Sequence, residues 1–237
     1  MEFTIDFALV RRIIAQESRQ ARNDIAALGP LRAYQGSLSR QDERLAAAGD
    51  ADTLACQAGC SWCCHFSVDV RPVEVLNIVE FMRRTFTSAE LQRLRQEIET
   101  NSAIFAPLDE MQRMQRNIKC PFLMEGRCSI YAARPQTCRN YHATDVTGCR
   151  QSFEQPDDMD IAPDYAPLVY QSGASHVEAF AQALSEAGYD LNAYELNTAL
   201  AEALADPVAI QQRFDNKLPV FIKAEGMEVP MEFVDAD

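Results

Sequence analysis

Long hydrophobic runs, export-signal features and internal repeats are all missing from this sequence. No stretch of about 18 consecutive apolar residues occurs, so we expect no membrane-spanning helix. The N-terminus has early acidic residues and lacks the basic patch, apolar stretch and small-residue cleavage site of a signal peptide. These absences predict a cytoplasmic protein with no membrane partner. Disulfides rarely persist in the reducing cytoplasm, so the eight cysteines need another explanation.

Positive charge is scarce, especially in the last third of the chain. Lysine and arginine number 22 against 35 acidic residues, which gives a net charge of −13. Residues 151–237 carry 3 basic and 17 acidic side chains, whereas residues 56–150 carry 12 and 10. So acidic a region repels nucleic acid, and we expect no nucleic-acid partner. Its acidic face either meets an unidentified partner or only keeps the surface soluble.

Hydrophobic periodicity predicts a mainly α-helical protein with at most short β segments. Apolar residues recur on one face over residues 5–28, and Gly29 and Pro30 then end that helix. The alternating FSVDV at residues 66–70 predicts a short strand, and residues 218–233 are expected to be extended. Further helices are predicted at 39–48, from Pro72, from the capping sequence at Thr87, at 174–188, at 191–204 and from Pro207.

The chain divides into three parts that we expect to pack as one unit. Residues 1–55 form N-terminal helices, residues 56–150 form a cysteine-rich metal-binding segment, and residues 151–237 form an acidic helical region. Residues 120–150 show no sustained periodicity, and so long an irregular stretch inside a compact domain needs something to order it. The predicted fold is therefore an irregular helical domain around a loop-rich cysteine cluster.

All eight cysteines lie in the middle segment, in two groups separated by 55 residues. Thiolates two or three residues apart can converge on one ion or cluster without strain, as they do in zinc and iron–sulfur sites. The long insert implies that the fold itself closes the site. Cys149 is equally well explained as a small buried residue. The predicted metal ligands are Cys56, Cys60, Cys63, Cys64, Cys120, Cys128, Cys138 and Cys149.

The adjacent pair Cys63 and Cys64 favours more than one metal. In an extended backbone neighbouring side chains point to opposite sides, so the two thiols suit two sites or different metals of one cluster. Eight thiols fit two four-thiolate sites, or one four-cysteine cluster with additional reactive thiols. His65 and His142 each follow a cysteine motif and are further candidates to ligate or to orient a ligand. His176 has no predicted role.

Two compound motifs occur in order: CQAGCSWCC at residues 56–64 and CPFLMEGRCSIYAARPQTCR at residues 120–139. Together they resemble the YkgJ-like cysteine-cluster family, which is described as chelating zinc or iron through a CxxCxxCC motif. The resemblance covers about residues 56–150. One departure is visible, because three residues rather than two separate Cys56 from Cys60.

The resemblance implies metal chelation and leaves the reaction open. One relative with a similar cysteine block, the flagellin lysine N-methylase, looks like an iron–sulfur protein that moves a methyl group, which implies group transfer. This chain lacks the glycine-rich strand–loop–helix of common methyltransferases. Cys56, Cys60 and Cys63 have the spacing of a radical-type CxxxCxxC triad, yet a mostly helical fold lacks the α/β barrel that such enzymes use.

Iron–sulfur and zinc centres both fit the thiols. Zinc would act as a closed tetrahedral staple. An iron–sulfur centre explains the adjacent pair, and Arg134 and Arg139 would offset its negative charge unless they pair with nearby acids. We favour an iron–sulfur centre, with zinc as the alternative. The aromatic residues expected to shield the centre are Trp62, Phe66, Phe122 and Tyr131.

Three functions follow from these alternatives. The favoured one is a cluster-binding protein in redox or group-transfer chemistry, which predicts an exposed cluster edge beside a pocket. The second is a zinc-stapled, non-enzymatic interaction module, which predicts closed sites with no pocket at the metal. The third is metal handling, in which exposed thiols pass ions on. Thiol catalysis by Cys64 with His142 is a further alternative, although no acid can be picked out to complete it.

Overall fold

This computed structural model describes residues 4–227, which contain ten α-helices and five short strands. The helices are α1 (Phe7–Leu28), α2 (Pro30–Ala46), α3 (Pro72–Thr85), α4 (Ser88–Phe105), α5 (Glu110–Met114), α6 (Gln136–Asn140), α7 (Val146–Glu154), α8 (Pro167–Glu186), α9 (Leu196–Ala205) and α10 (Pro207–Asp215). The strands are β1 (Asp69–Val70), β2 (Leu123–Met124), β3 (Arg127–Cys128), β4 (Ala193–Glu195) and β5 (Gly226–Met227). The predicted mainly α fold is confirmed.

Local sequence signals set several helix ends. The Asp6 carboxylate accepts the Leu9 N–H at 2.9 Å and caps α1, and Thr87 with Glu90 forms the expected capping box of α4. Gly29, at φ 80°, separates α1 from α2. Because Pro30 is tolerated at the first position of a helix, α2 begins there rather than at Ser39.

The strands are shorter than the alternating pattern of apolar residues predicted. β1 pairs antiparallel with β4, placing Asp69 opposite Glu195, and β4 pairs antiparallel with β5. The strand predicted at residues 66–70 is thus reduced to its last two residues. Of the predicted extended end, residues 226–227 form β5, and residues 228–233 lie outside the described residues.

The main hydrophobic core lies between two groups of helices. α1, α2 and α8 pack together on one side, and α3, α4 and α9 pack on the other. Tyr34, Ile78, Leu94 and Leu200 are all fully buried in this core. Cys120 and Cys128 pack at its edge, so the core positions the cysteine-rich segment. None of the helices within residues 4–227 is long and apolar enough to cross a membrane.

A buried polar network joins α1, α2 and α8. His176 of α8 is fully buried, with its Nε2 atom 2.8 Å from Ser37 Oγ and its Nδ1 atom 3.5 Å from Glu17 Oε2. Glu17 also accepts hydrogen bonds from Arg40 at 2.6 Å and Arg44 at 3.1 Å. Burial alone would raise the pKa of Glu17, but the Arg40 hydrogen bond and the nearby positive charges lower it overall. His176 is therefore a structural residue.

We expect the protein to lose stability as the pH falls from about 6.5 to about 4. Burial, aided by the charges of Arg44 and Arg40 and opposed by Glu17, lowers the pKa of His176 to about 4. The unfolded chain therefore takes up a proton in this range before the folded chain does. The free energy of unfolding should fall by about 3 kcal/mol from this residue. Urea unfolding at several pH values measures it.

The matched variant for this prediction is His176→Gln, which has no titrating ring. We expect this variant to be less stable than wild type at neutral pH, and the difference between the two should shrink as the pH falls. Other groups titrate in the same range, so this difference, rather than the wild-type slope, isolates His176. Parallel pH profiles for the two proteins would contradict the prediction.

Candidate metal centre

Backbone hydrogen bonds bring the two cysteine groups side by side. The Cys120 N–H donates to the Cys64 carbonyl at 2.8 Å, and the Ile118 N–H donates to the His65 carbonyl at 2.8 Å. At the other end, the Ala55 N–H donates to the Ala143 carbonyl at 2.8 Å. Each of these bonds joins residues that are more than 50 positions apart in the sequence. The two cysteine groups therefore become neighbours only through the tertiary structure.

The β2–β3 hairpin presents Cys120 and Cys128. Leu123 pairs with Cys128 across it, and its turn has Glu125 at φ 49° and Gly126 at φ 74°. Such a two-residue turn needs positive φ at both positions, which explains the glycine. Burial raises the pKa of Cys120 to about 12 and also raises that of Cys128, while hydrogen bonds from backbone N–H groups partly offset both shifts. Those N–H groups already favour thiolate charge.

Four thiols on and near this hairpin form a group that we call the second thiol set. Burial raises the pKa of Cys138 well above its usual value, and the charges of the other three thiols raise it further. Beyond the effect of burial, the charges of Cys128 and Cys64 raise the pKa of Cys120, and the charge of Cys64 raises that of Cys128. These charge interactions indicate that Cys64, Cys120 and Cys128 lie in the surroundings of Cys138. The set consists of Cys64, Cys120, Cys128 and Cys138.

The other four thiols form the first thiol set. Burial raises the pKa of Cys149 to about 11, and the charges of Cys56 and Cys60 contribute to the rise. The pKa of Cys63 is raised by its contact with Cys64, by burial, and by the charges of Cys64, Cys138 and Cys56. Cys63 therefore neighbours both groups, and we count it with the first. The Ala143 N–H donates to Cys56 Sγ at 3.3 Å. Cys149 is buried on α7, yet it is grouped with other thiols rather than isolated. The set consists of Cys56, Cys60, Cys63 and Cys149.

The adjacent pair Cys63 and Cys64 joins the two sets. Residues Trp62–His65 form a 3₁₀ helix, so the extended backbone assumed for this pair is wrong. The two thiols interact directly, which raises the pKa of Cys63 and lowers that of Cys64 to about 7. The Arg134 charge also lowers the pKa of Cys64. Of the two thiols, Cys64 is therefore the one that loses its proton more readily.

The sets are neighbours rather than finished coordination shells. Within residues 4–227, no three side chains of histidine, cysteine, aspartate or glutamate converge closely enough to hold an ion as they stand. All eight cysteines are free thiols. Binding an ion therefore requires the sulfur atoms of a set to draw together. The assignment of all eight cysteines as metal ligands stays a prediction.

Two arginines support the second thiol set in different ways. Arg134 stacks on Tyr131, with its Cζ atom 3.9 Å from the ring centroid, and its charge lowers the pKa of Cys64. Arg139 is 2% exposed and makes a bidentate contact with Asp42 of α2, at 2.7 and 2.6 Å. Arg139 therefore forms an ion pair with an acidic residue that lies outside the cysteine-rich segment. No local signal in the sequence pointed to Asp42.

Aromatic side chains pack between the 3₁₀ helix Trp62–His65 and α7. The ring of Trp62 lies 5.2 Å from that of Phe153 on α7, and His65 lies 4.9 Å from the same ring. Phe153 was not predicted to be part of the site. Tyr131 is 63% exposed, so its expected shielding role is wrong. It lies on the surface because its ring stacks on Arg134 instead.

The two candidate histidines differ in their surroundings. His65 Nδ1 lies 3.1 Å from the Ser61 carbonyl, which fixes the ring by a local contact. His142 is partly buried, and burial lowers its pKa, with a further contribution from Arg134. Its buried Nε2 atom has no hydrogen-bond partner within the described residues. A neutral imidazole with an unpartnered nitrogen suits metal ligation, so His142 is the stronger of the two candidates.

We expect Gly148→Ala to destabilise the first thiol set. An added Cβ would lie 2.7 Å from Pro163 Cα and 3.1 Å from the Ala162 carbonyl oxygen, both backbone atoms. Because backbone cannot swing aside as a side chain can, α7 and Cys149 must shift. The expected cost is about 1–3 kcal/mol in the free energy of unfolding, measured by urea denaturation.

The control for this variant is Gly36→Ala, on the exposed surface of α2. Its new Cβ meets only the end of the Arg40 side chain, at 3.4 Å. Alanine in an exposed helix interior should stabilise the protein by about 0.5–1 kcal/mol. If both variants change the free energy of unfolding in the same direction, the close approach of α7 to the backbone of Ala162 and Pro163 is refuted.

Two cavities lie near the cysteine segment. One, of about 320 Å³, lies between α2, α3 and residues 132–139. The other, of about 440 Å³, lies between β1, α5 and the start of α6. Neither is lined by a cysteine. The second is lined by Gln136 and Thr137, which directly precede Cys138 on α6.

Comparison with known proteins identifies the cysteine-rich segment. Residues 55–162 match the family model CxxCxxCC, described as "Putative zinc- or iron-chelating domain". No curated protein and no solved structure matches the chain. The resemblance inferred from the two motifs is therefore confirmed for somewhat less than half of the 237 residues.

Proposed function

Since residues 55–162 match the zinc- or iron-chelating CxxCxxCC domain, we propose that this protein binds two neighbouring thiolate-ligated metal centres. The observation that carries the proposal is that backbone hydrogen bonds from Cys120 to Cys64 and from Ala55 to Ala143 bring the two cysteine groups side by side. The charge interactions among the thiols support two groups of four that meet at Cys63 and Cys64. Four thiolates are the usual complement of one structural zinc ion or one iron–sulfur cluster. His142 is an additional or replacement ligand in this scheme.

We propose iron–sulfur centres that serve redox or group-transfer chemistry. Such clusters carry negative charge, and hydrogen bonds to their sulfur ligands set the reduction potential. Arg134 supplies a positive charge beside Cys64, and backbone N–H groups face Cys56, Cys120 and Cys128. Cys56 is also exposed, which would leave a cluster edge open to a partner. When bound, the cluster would supply the electron transfer, while these groups tune it.

Zinc is the second candidate, and one observation favours it. Neither described cavity is lined by a cysteine, as expected for closed centres that only hold loops in place. A closed zinc site contributes its binding energy to folding rather than to a reaction. The acidic last third would then supply the surface for a partner.

Anaerobic purification followed by iron, zinc and acid-labile sulfide analysis tests the proposal. Iron and sulfide in equal amounts, with broad visible absorption, support the redox or group-transfer function. Colourless protein with about two zinc ions per chain keeps the two centres and rejects the iron–sulfur assignment. Folded protein that takes up neither metal overturns the chelation proposal itself.

Cytoplasmic location belongs to the same proposal. Thiolate ligands must stay reduced to bind metal, and the cytoplasm maintains this state. Locating the protein by fractionation, together with thiol counting on freshly lysed cells, checks it. Oxidised cysteines in that assay would argue against the proposed location.

A further inference from the structure

The larger cavity is a cleft between elements that also hold the second thiol set. Its wall includes β1, the residue before α3, helix α5 and the first two residues of α6. At about 440 Å³ it has room for a small molecule. The polar residues that line it include Ser67, Asp69, Arg71, Arg113 and Gln136.

Four of the lining side chains carry buried polar atoms with no hydrogen-bond partner. These atoms are Ser67 Oγ, Arg71 Nε, Arg113 Nε and Gln136 Nε2, and the absence of partners is among residues 4–227. Three of them are N–H donors, and the fourth is a hydroxyl that can donate. Gln136 is 3% exposed. Buried polar groups are nearly always paired, so four unpaired donors around one cleft call for an acceptor.

The cleft is lined by two arginines and three carboxylates, and the Arg71 guanidinium has no carboxylate partner among the described residues. The Glu74 carboxylate already accepts three hydrogen bonds. They come from the Tyr34 hydroxyl at 3.2 Å and from the backbone N–H groups of Gln136 at 2.8 Å and Arg71 at 2.7 Å. Asp69 pairs with Arg113 at 3.5 Å. In the described part of the chain, no carboxylate lies within 4.0 Å of the Arg71 guanidinium. Arg71 is thus a half-buried positive charge facing a donor-rich cleft.

We propose that this cleft binds a small molecule through a carboxylate or phosphate group, with Arg71 as the main contact. An arginine presents a fork of donors that matches either oxyanion. Ser67 and Gln136 also line the cleft with unpaired donors, which would take the remaining lone pairs. The exposed Glu110 at the rim disfavours large polyanions such as nucleic acid and selects a small ligand.

A ligand in this cleft would sit beside the second thiol set. Thr137 lines the cleft and directly precedes Cys138 on α6, and Ser67 follows Cys64 by three residues. The anion site does not require metal, because all of its contacts come from the cleft itself. Its failure would therefore leave the metal proposal untouched, and the reverse also holds.

Calorimetric titration of the purified full chain tests the site. Sodium phosphate and sodium succinate are each titrated, with sodium chloride of equal ionic strength as the background control. We expect one of the two anions to saturate with a Kd of about 1 mM or tighter. Saturation by phosphate alone identifies a phosphate-bearing ligand, and saturation by succinate alone identifies a carboxylate-bearing one. Saturation by neither overturns the proposal.

Arg71→Gln should weaken binding of the effective anion at least tenfold. The matched control is Arg84→Gln, since Arg84 is exposed and lines the other cavity, and its Kd should not change. Equal weakening by both variants would mean only a general charge effect and would overturn the site. If Arg71→Gln does not fold, Ser67→Ala replaces it, with an expected weakening of at least threefold, and an unchanged Kd is then the contrary result.

Discussion

Replacing Cys138 with serine will remove about half of the metal bound by this protein, and replacing Cys60 with serine will remove the other half. Cys138 is repelled by Cys64, Cys120 and Cys128, which places it in the second thiol set. Beyond burial, the charge of Cys60 raises the pKa of Cys149, which places Cys60 in the first thiol set. A serine hydroxyl is a poor substitute for a thiolate ligand, so each variant loses one centre. Elemental analysis of protein purified without added metal measures the loss.

Each loss should also lower stability. Metal bound by four thiolates contributes on the order of 10 kcal/mol to folding, so a variant with one empty centre should unfold at a markedly lower temperature. The double variant should hold no metal. Calorimetric melting of the three variants beside wild type provides this second measurement.

Thr137→Ser is the matched control for Cys138→Ser. It changes the neighbouring residue of α6 and preserves the hydroxyl that donates to the Asp69 carbonyl. Its metal content should equal that of wild type. If Cys138→Ser or Cys60→Ser alone removes all the metal, the eight thiols serve one polynuclear cluster, and the division into two centres is wrong.

Asp42→Asn will lower the free energy of unfolding by about 2–3 kcal/mol. The variant leaves the Arg139 guanidinium, 2% exposed, without its bidentate carboxylate. An unpaired buried charge costs about 3–5 kcal/mol, and we reduce that figure because Asp42 itself is 52% exposed. For a chain of this size the melting temperature should drop by about 5–10 °C. Thermal and urea unfolding measure the two quantities.

The effect should reach the metal centre as well. Arg139 directly follows Cys138 on α6 and also bonds the Arg134 carbonyl at 3.2 Å. Its loss of Asp42 should loosen α6, so metal should leave Asp42→Asn faster when a chelator is added. The exposed pair of Arg150 and Glu154 offers a control, because Glu154→Gln should change stability by less than about 1 kcal/mol. Equal effects of the two variants would show that Arg139 needs no partner.

Much of this architecture is readable from local sequence. Apolar periodicity located α1, and the capping residues around Thr87 located the start of α4. The two compound cysteine motifs were enough to recognise the chelating family. These features depend on residues a few positions apart, whose physical preferences act wherever the chain is placed.

Other features were misread because a neighbour distant in sequence decides them. The pair Cys63 and Cys64 lies on a 3₁₀ helix that packs against α7, so its thiols interact where an extended chain would separate them. Tyr131 is aromatic and close to the cysteines in sequence, yet it lies on the surface with Arg134. Local pattern does not specify which packing partner a short irregular segment will meet.

By itself, the sequence determined a mainly helical chain with eight thiols spaced for metal chelation. Only the tertiary structure decided that the two cysteine groups lie side by side, because the backbone hydrogen bonds from Cys120 to Cys64 and from Ala55 to Ala143 join distant segments. It also decided that Asp42 of α2 neutralises Arg139 and that Arg71 faces a cleft without a carboxylate partner among the described residues. Electrostatic interactions depend on distance in space rather than along the chain, so the charge balance of the site emerges only on folding.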